Sequence, residues 1–275
     1  MQENFSPDLT HSLDTAKEIL RKHAPVVIAY SGGVDSSVLL ALAHRTLGDR
    51  VLGVIADSPS LPRQALRDAL DQAKQIGAKV EILATQEMQD PNYVANPLNR
   101  CYYCKAELFQ RMDTLAQTRG FAAIAYGENA DDPAATRPGA LAAEKFAVLA
   151  PLKNAGIGKA GIRELARHWK LSSADMPAAP CLSSRIPYGT PVTSEALALI
   201  ENAEKSLRSI GFRILRVRYK ALQTGTSSRH GANIQVAPDE LEHARTHQSE
   251  IIRNLQKIGF SEIEIDPLGY QGSLA

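Results

Sequence analysis

The stretch AYSGGVDSSVLLALA, residues 29–43, decides the fold of this chain. An apolar strand ends at Tyr30, a Ser-Gly-Gly turn follows, and a helix is predicted to begin near Asp35. This order directs backbone N–H groups and a helix N-terminus at one point, an arrangement that holds phosphate. Gly32 and Gly33 lack a Cβ and therefore let the backbone approach a ligand closely. The loop is not a Walker A motif, because no Gly-Lys-Ser/Thr follows, and it does not match GxGxxG.

The polar side chains of this loop are candidate phosphate ligands. Ser31, Ser36 and Ser37 supply hydroxyl donors. The Asp35 carboxylate would be repelled by phosphate unless a cation such as Mg²⁺ lay between them, so Asp35 is a candidate magnesium ligand. The structural alternative is that Ser31 and Asp35 merely cap a helix and turn a corner. The complete SGGVDSS at a strand–helix turn favours the phosphate site.

Strands and helices alternate on both sides of the loop. Short apolar runs at 26–30, 51–57, 80–84 and 122–126 are typical of buried parallel strands. The segments between them carry helical periodicity, so the predicted fold class is α/β, an open parallel sheet with right-handed crossovers. Ligands of such sheets bind at the carboxyl ends of the strands.

Composition excludes several classes of protein. The chain has 275 residues, a formal net charge of +1 and 22% charged residues, which argues against bulk electrostatic capture of nucleic acid. No apolar run approaches the length of a membrane span, and the polar N-terminus does not resemble a signal peptide. Three cysteines make a disulfide framework improbable. These features predict a cytoplasmic protein.

The pattern changes after PYGTP, residues 187–191, which is a predicted linker. LRSIGFRILRVR (207–218) and LQKIGFSEIEID (255–266) align without a gap, so two helix-to-strand units repeat. We therefore predict two domains, an α/β domain over 1–187 and a small α+β domain over 188–275 for substrate binding or oligomerisation. The polar run GTSSRHGAN, 225–233, is predicted to be a loop.

The SGGVDSS motif resembles the PP-loop of the ATP pyrophosphatase superfamily. That resemblance implies cleavage of ATP to AMP and pyrophosphate, with the loop holding the pyrophosphate. It also implies that Asp57 and Ser58, at the end of the second strand, hold the adenosine. Members of the superfamily differ mainly in the nucleophile that attacks the adenylated substrate.

Three further stretches resemble one family of this superfamily: GENADDPAATRPG (127–139), PLKNAGIGKAGIRELA (151–166) and PAAPCLSSRIPYG (177–189). They are similar to LarE, and the likeness extends through GYQGSLA at the C-terminus. LarE is the ATP-dependent sulfurtransferase that acts on an adenylated carboxylate of pyridinium-3,5-biscarboxylic acid mononucleotide. Its thiocarboxylate product serves nickel-pincer nucleotide cofactor biosynthesis. The resemblance implies a sulfur-bearing Cys181 and catalytic roles for Lys105 and Glu204, in a homo-oligomer that uses a separate sulfur donor.

The other two cysteines lie in RCYYCKAELF, at Cys101 and Cys104. A CxxC pair alone fits a redox pair, half of a zinc site or part of an iron–sulfur site. With Cys181 as a third ligand, the count suits a [4Fe–4S] cluster with one iron open for exogenous sulfide, as the resemblance to three-cysteine LarE proteins implies. The alternative is two incidental thiols and a sacrificial Cys181 that becomes dehydroalanine.

A mononucleotide substrate requires cationic ligands. The strand ILRVRY places Arg216 and Arg218 on one face, about 7 Å apart at strand rise, where two guanidinium groups suit a phosphate. The alternative is that they pair across the sheet with Glu264 and Asp266, which occupy the matching positions of the repeat. Ser184 and Arg185, beside Cys181, are further candidate substrate ligands.

Two features depart from the LarE pattern, namely Gln271, where the family often has arginine, and the loop-like segment 221–232. Competing hypotheses are a tRNA-thiolating PP-loop enzyme, a non-catalytic nucleotide sensor and an amidotransferase that uses free ammonia. A tRNA enzyme should carry a strongly basic surface, whereas this chain is nearly neutral. The predicted partners are therefore small molecules, with neither nucleic acid nor membrane.

Overall fold

The computed structural model describes residues 5–133, 138–177, 180–224 and 227–270. The chain divides into two compact units. The first comprises Met1–Glu87 and Asn99–Ala179, and the second comprises Met88–Leu98 and Pro180–Ala275. This division falls eight residues before the predicted domain boundary and assigns a short segment of the N-terminal half to the second unit.

The described helices and strands follow one another in the order expected for an α/β unit and a smaller α+β unit. The helices are α1 Pro7–Lys22, α2 Val34–Leu47, α3 Arg63–Ile76, α4 Pro91–Val94, α5 Arg100–Arg119, α6 Pro138–Lys145, α7 Pro151–Asn154, α8 Lys159–His168, α9 Ser194–Ser209, α10 Leu241–Thr246 and α11 Gln248–Ile258. The strands are β1 Val26–Ala29, β2 Val51–Asp57, β3 Val80–Ala84, β4 Ala123–Tyr126, β5 Leu215–Thr224, β6 Ser227–Val236 and β7 Phe260–Ile265.

The first unit contains a parallel sheet of four described strands in the order β3-β2-β1-β4. Val26 on β1 is in register with Val51 on β2 and with Ala123 on β4. The predicted fold class and the four predicted strands are therefore confirmed. Because the central strand β1 is followed by the glycine loop, that loop lies at the carboxyl edge of the sheet between β2 and β4.

Both faces of this sheet are covered, which explains its continuous apolar strands. Val26 and Ile28 pack in one core cluster with α1, α2 and α8. Val27, between them in sequence, belongs to the opposite cluster with Phe109 and Met112 of α5. Alternate residues of one strand thus fill two cores, and the sheet is a rigid support for the loops at its edge.

The second unit contains a sheet in the order β5-β6-β7, in which β5 and β6 are antiparallel and β6 and β7 are parallel. Leu215, Val217, Ala232 and Ile234 are buried on the face toward the helices. The described elements agree with the predicted small α+β fold. The repeated helix-to-strand units correspond to α9 with β5 and α11 with β7.

The loop predicted over 225–233 is wrong for most of its length, because β6 occupies Ser227–Val236. Small polar residues are weak strand formers by themselves, but β6 pairs with β5 on one side and β7 on the other. Tertiary pairing therefore overrides local composition. Gln271 lies outside the described residues, as do positions 225 and 226 of the segment 221–232. In the part of the chain that the structure describes, no helix is both long and apolar enough to cross a bilayer.

Candidate active site

The glycine loop takes a tight path because a neighbouring helix lies directly against it. Gly32 has a φ of +77°, and a Cβ there would lie 2.6 Å from the Cβ of Ala69 on α3. Both features exclude a side chain at this position. Tyr30, at the end of β1, donates its hydroxyl to the carbonyl of Ala69 at 2.9 Å, which ties the start of the loop to the same helix.

The serine side chains of the loop divide into two kinds. Ser31 and Ser36 lie with their hydroxyls 3.1 Å apart, and the Ser31 backbone N–H also donates to the Ser36 hydroxyl at 3.1 Å. Ser37 is fully buried, with its hydroxyl 2.7 Å from the Gln72 side-chain amide. Ser37 therefore fixes the helix to α3, while Ser31 and Ser36 shape the loop itself.

The N-terminus of α2 has no side-chain cap. Its N-cap residue, Gly33, is exposed and makes no side-chain hydrogen bond to the first turn. Helix N-termini carry unsatisfied N–H groups and partial positive charge, so an anion can take the place of the missing cap. This arrangement fits the predicted pyrophosphate site.

Asp35, in the first turn of α2, is paired with a residue far away in sequence. Lys159 Nζ donates to both carboxylate oxygens of Asp35 at 2.8 Å each. The Lys159 backbone N–H donates to Asp131 at 2.6 Å, and a Cβ at Gly158 would lie 2.6 Å from that same carboxylate. Magnesium commonly uses one or two carboxylates together with substrate phosphates. Asp35 fits this role, with Lys159 as the neighbouring cation.

Residues after β4 complete the edge of the sheet beside the loop. A Cβ at Gly127 would lie 2.7 Å from the backbone nitrogen of Ser36, so glycine is needed for the two segments to touch. Glu128 is buried and accepts hydrogen bonds from the Tyr126 hydroxyl and from Lys153 Nζ, the latter at 3.0 Å. Burial, followed by the Glu128 hydrogen bond, raises the pKa of Tyr126 well above its ordinary range.

Lys105 belongs to this group of residues. Its Nζ lies 4.8 Å from the centre of the Tyr126 ring, a cation–π contact. A Cβ at Gly139 would lie 2.7 Å from the Lys105 side chain, so α6 packs directly against the aliphatic part of that side chain. Burial lowers the pKa of Lys105, although the negative charge of Glu128 acts in the opposite direction. The predicted catalytic lysine is thus a half-buried cation beside Tyr126, at the carboxyl end of β4.

The predicted adenosine ligands lie at the carboxyl end of β2. Asp57 forms an ion pair with Arg63 at 2.6 Å, and Arg63 also donates to the Ser58 carbonyl at 2.8 Å. The Ser58 and Ser60 hydroxyls lie 2.8 Å apart. Glu87 is buried beside them, with the Ser60 hydroxyl 3.4 Å from one carboxylate oxygen.

Cys101 and Cys104 lie in the first turns of α5, three residues apart on one helical face. Cys101 is exposed and Cys104 is half-buried. Cys181 belongs to the other compact unit. Across the described ranges, no three His, Cys, Asp or Glu side chains are grouped so that they could hold a metal ion. The described residues therefore give no support to the [4Fe–4S] site, which stays a prediction from the sequence.

In the second unit, Cys181 begins a turn that we call the Cys181 turn, Pro180–Arg185. Leu182–Arg185 form a 3₁₀ helix, and Cys181 is its N-cap residue and is partly exposed. The Arg185 guanidinium curls back onto this turn. Its Nη1 donates to the carbonyls of Pro180 at 2.6 Å and Cys181 at 3.0 Å, and to the Ser184 hydroxyl at 3.0 Å.

Glu204 on α9 holds the other side of Arg185. The two side chains form an ion pair at 2.9 Å and are only 1% and 3% exposed, respectively. Glu204 also accepts from Arg208 at 3.0 Å and from the Val217 backbone N–H at 3.3 Å. Burial alone would raise the pKa of Glu204, but Arg185, Arg208 and Val217 together bring it below its ordinary value. Glu204, a predicted catalytic residue, is thus a buried anion that orients Arg185 and Arg208.

Arg216 and Arg218 lie on the sheet face opposite the buried apolar residues. Arg216 lies over the Tyr270 ring at 4.9 Å. Arg218 donates to the Gln235 side chain at 3.1 Å and to the Ser184 carbonyl at 2.8 Å. Burial lowers the pKa of both arginines, and the positive charge of Arg185 lowers each further. We call Arg185, Arg216 and Arg218 the arginine cluster. Glu264, which the sequence offered as an alternative partner for the two arginines of β5, forms an ion pair with Lys220.

Sequence reasoning missed the segment that supports the Cys181 turn. The buried hydroxyl of Tyr93 lies 2.7 Å from that of Ser183. Asn96, fully buried with a φ of +54°, donates to the carbonyls of Pro187 at 2.8 Å and Thr190 at 2.9 Å. Lys159 was also not among the predicted site residues. Its position at the start of the stretch KAGIRELA could have indicated it.

Comparison with known proteins adds to this geometry. A sequence model of the NAD synthase family matches residues 11–131. The chain is 37% identical over 265 residues to an uncharacterized protein of Synechocystis sp., covering 96% of each chain. It is 31% identical over 252 residues to the pyridinium-3,5-bisthiocarboxylic acid mononucleotide synthase of Lactiplantibacillus plantarum, covering 90% of this chain and 87% of that protein.

A shorter match, to the NH₃-dependent NAD⁺ synthetase of Pyrobaculum aerophilum, is 47% identical over 55 residues. It covers 20% of this chain and 21% of that protein, so it shows similarity of one segment and does not extend to the whole of either protein. The family model and the long match both indicate an enzyme that uses ATP. Taken with the strand–loop–helix geometry at residues 26–47, they show that this chain belongs to the LarE family of the PP-loop ATP pyrophosphatase superfamily.

Proposed function

We propose that this protein transfers sulfur, at the expense of ATP, to a carboxylate of pyridinium-3,5-biscarboxylic acid mononucleotide. The observation that carries the proposal is the arrangement of Cys181 and the arginine cluster in one unit. Two of the arginines that would hold a mononucleotide phosphate, Arg185 and Arg218, also hold the backbone of the Cys181 turn. The long match to a protein named as a synthase of the bisthiocarboxylic acid mononucleotide supports this substrate class.

ATP would be held by the first unit. The uncapped N-terminus of α2 and the loop Ser31–Gly33 suit the β- and γ-phosphates, and Lys159 suits their negative charge. Asp35 would hold Mg²⁺, which when bound supplies positive charge to the phosphate oxygens. Asp57, Ser58 and Arg63 at the end of β2 would contact the adenosine.

The reaction divides into two steps. A substrate carboxylate oxygen attacks the α-phosphorus of ATP, pyrophosphate leaves, and an acyl adenylate forms. A sulfur nucleophile then attacks the acyl carbon, and AMP leaves with the former carboxylate oxygen. In the simplest form the nucleophile is Cys181 Sγ, and the resulting thioester yields a thiocarboxylate when the Cβ–Sγ bond breaks and the Cα proton is lost. Cys181 then becomes dehydroalanine.

The [4Fe–4S] cluster on Cys101, Cys104 and Cys181 stays a prediction from the sequence. It would supply exogenous sulfide, so that Cys181 would survive turnover. The two sulfur sources differ in one measurable respect, namely the mass of the protein after reaction. A homo-oligomeric assembly, a cytoplasmic location and the absence of a nucleic-acid partner also stay predictions.

The arginine cluster suits the phosphate of the mononucleotide. Three guanidinium groups with Glu204 as the neighbouring carboxylate leave net positive charge, and planar guanidinium groups bind phosphate oxygens in pairs. Asn233, opposite Arg218 in the β5–β6 register, has a buried side-chain oxygen without a hydrogen-bond partner among the described residues. That acceptor would suit a ribose hydroxyl.

The test is a reaction of the purified protein with ATP and the biscarboxylic acid mononucleotide. We expect pyrophosphate release that depends on the acceptor, and a thiocarboxylate product seen by mass spectrometry. Cys181→Ala should still release pyrophosphate in a first turnover but should form no thiocarboxylate. Amide formation from ammonia by Cys181→Ala would instead support an amidotransferase. No pyrophosphate release with any acceptor would support a nucleotide sensor.

A further inference from the structure

The Cys181 turn is held by two arginines through backbone carbonyls. Arg185 Nη1 donates to the carbonyls of Pro180 and Cys181, at 2.6 and 3.0 Å. Arg218 Nη1 donates to the carbonyl of Ser184 at 2.8 Å. Hydrogen bonds from charged donors are stronger than those between neutral groups. The position of the thiol therefore depends on where these two guanidinium groups are held.

The two arginines differ in how firmly they are held. Arg185 is buried and is fixed by Glu204 through Nε at 2.9 Å and Nη2 at 3.3 Å. Arg218 is only half-buried, and its described contacts are one hydrogen bond to Gln235 and one to Ser184. A guanidinium has five N–H donors, so the described contacts of Arg218 leave donors for a ligand. Of the two arginines that contact the Cys181 turn, Arg218 is thus the one whose position a ligand can change.

Charge also favours an anion at this point. Burial lowers the pKa of Arg218, and the like charge of Arg185 lowers it further. Arg216 is affected in the same two ways, with a further small contribution from Arg218. An anion between these arginines would offset both effects and would hold the Arg218 guanidinium in one place.

We propose that a phosphate group bound by Arg218 orders the Cys181 turn and thereby controls the accessibility of the Cys181 thiol. This inference rests on the proposed function, because it takes the phosphate of the mononucleotide as the natural ligand. Phosphate binding and thiol position are then coupled through a single side chain. The sulfur is protected and correctly placed only when the substrate phosphate is bound.

The test measures the alkylation rate of Cys181 by iodoacetamide, followed by peptide mass spectrometry, as inorganic phosphate is titrated. We expect phosphate to slow alkylation by at least about fivefold, the low end of typical coupling between two sites. Free glutathione, alkylated at the same phosphate concentrations, is the reagent control and should not respond. Ribose 5-phosphate should act like phosphate if the site takes a phosphomonoester, whereas ribose should have no effect.

Two variants distinguish the proposed coupling between phosphate binding and Cys181 accessibility from a general effect of positive charge. Arg218→Lys keeps the positive charge but lacks the planar fork that can hold a carbonyl and an anion together, so the coupling should be lost. Lys220→Gln removes a cation from the same strand and face, and Lys220 contacts Glu264 rather than the turn, so coupling should persist. Calorimetry of phosphate binding to each variant shows whether the ligand is still bound.

The outcomes distinguish this inference from the proposed function. If phosphate binds to the wild-type protein and Cys181 alkylation does not change, the coupling is wrong while sulfur transfer stands. If neither phosphate nor ribose 5-phosphate binds, both the phosphate site and the coupling are wrong. The wild-type titration decides the question even if Arg218→Lys does not fold. Equal coupling in wild type and Arg218→Lys would also overturn the role of Arg218.

Discussion

Lys159 Nζ lies 2.8 Å from both carboxylate oxygens of Asp35, although 124 positions separate the two residues in the sequence. The pair joins the N-terminus of α8 to the first turn of α2, directly beside the glycine loop. A cation at this point neutralises a carboxylate that would otherwise repel polyphosphate. The proposed phosphate site would therefore depend on two distant segments rather than on the loop alone.

Lys159→Met should weaken ATP binding. Loss of one charge-assisted contact of about 2 kcal/mol corresponds to roughly a thirtyfold rise in the ATP dissociation constant. Isothermal titration calorimetry with a non-hydrolysable ATP analogue and Mg²⁺ measures this constant. Lys74→Met, at an exposed i,i+3 pair with Asp71 on α3, is the matched control and should bind normally. Unchanged affinity in Lys159→Met would contradict the assignment.

Gly32→Ala should destabilise the protein and abolish ATP binding. The substitution combines a positive φ with a Cβ placed 2.6 Å from Ala69. Gly120→Ala provides the comparison, because Gly120 has a φ of +71° with nothing within 4 Å of its Cβ position. Gly120→Ala should cost about 1–2 kcal/mol of unfolding free energy from backbone strain alone. Urea denaturation should show a clearly larger loss for Gly32→Ala, and equal losses would exclude the steric contribution.

Glu204→Gln should destabilise the protein by about 3–5 kcal/mol, because it leaves the buried Arg185 without its anion. Glu250→Gln, at an exposed position of α11, is the control and should change stability by less than about 0.5 kcal/mol.

The pH dependence of Glu204 follows from its lowered pKa. Its contribution to stability is fully present above the ordinary glutamate range and is lost as pH falls through the folded-state pKa. Wild type should therefore lose more stability between neutral and acidic pH than Glu204→Gln does. Parallel slopes of melting temperature against pH in the two proteins would show that Glu204 is not the group responsible.

Lys105→Met should raise stability at neutral pH while it reduces ATP-dependent turnover. Burial lowers the pKa of Lys105, so the unfolded chain holds this proton to higher pH than the folded chain does. Stability should accordingly rise with pH between the lowered pKa and the ordinary lysine value. Thermal melts from neutral to alkaline pH should show this rise in wild type and a smaller rise in Lys105→Met. If Lys105→Met is instead less stable than wild type at neutral pH, the Lys105 ammonium is fully paired with negative groups in the folded protein.

The predicted cluster gives a chemical test of the three cysteines. Protein purified without oxygen should contain iron and acid-labile sulfide in equal amounts, and Cys101→Ala and Cys104→Ala should lose both. The mass of Cys181 should then be unchanged after turnover. An iron-free protein that loses one sulfur as dehydroalanine at Cys181 would rule out the cluster and assign the transferred sulfur to that residue.

The strands and the glycine loop could be predicted from the sequence, because each is encoded by neighbouring residues. Apolar runs such as VLGVIAD match β2 residue for residue, and SGGVDSS lies at the predicted strand–helix turn. The prediction failed at 227–233, where small polar residues form β6 by pairing with two other strands. Strand pairing is a long-range interaction, so local composition could not reveal it.

The site in the second unit was only partly visible. The sequence indicated Cys181, Arg216 and Arg218 as separate candidates, but it did not indicate that Arg218 holds the carbonyl of Ser184. Nor did it indicate that Tyr93 and Asn96 support the segment that follows Cys181, about 90 residues later in the chain. Such contacts depend on which backbone groups the fold leaves within hydrogen-bond distance.

By itself, the sequence determined the α/β sheet, the glycine loop at its edge and the family to which the chain belongs, because backbone preference and hydrophobic periodicity act over a few neighbouring residues. Only the tertiary structure decided that Lys159 pairs with Asp35, that Glu204 is a buried anion, and that two arginines hold the Cys181 turn. Charges interact according to their distance in space and their exposure to water, and folding sets both.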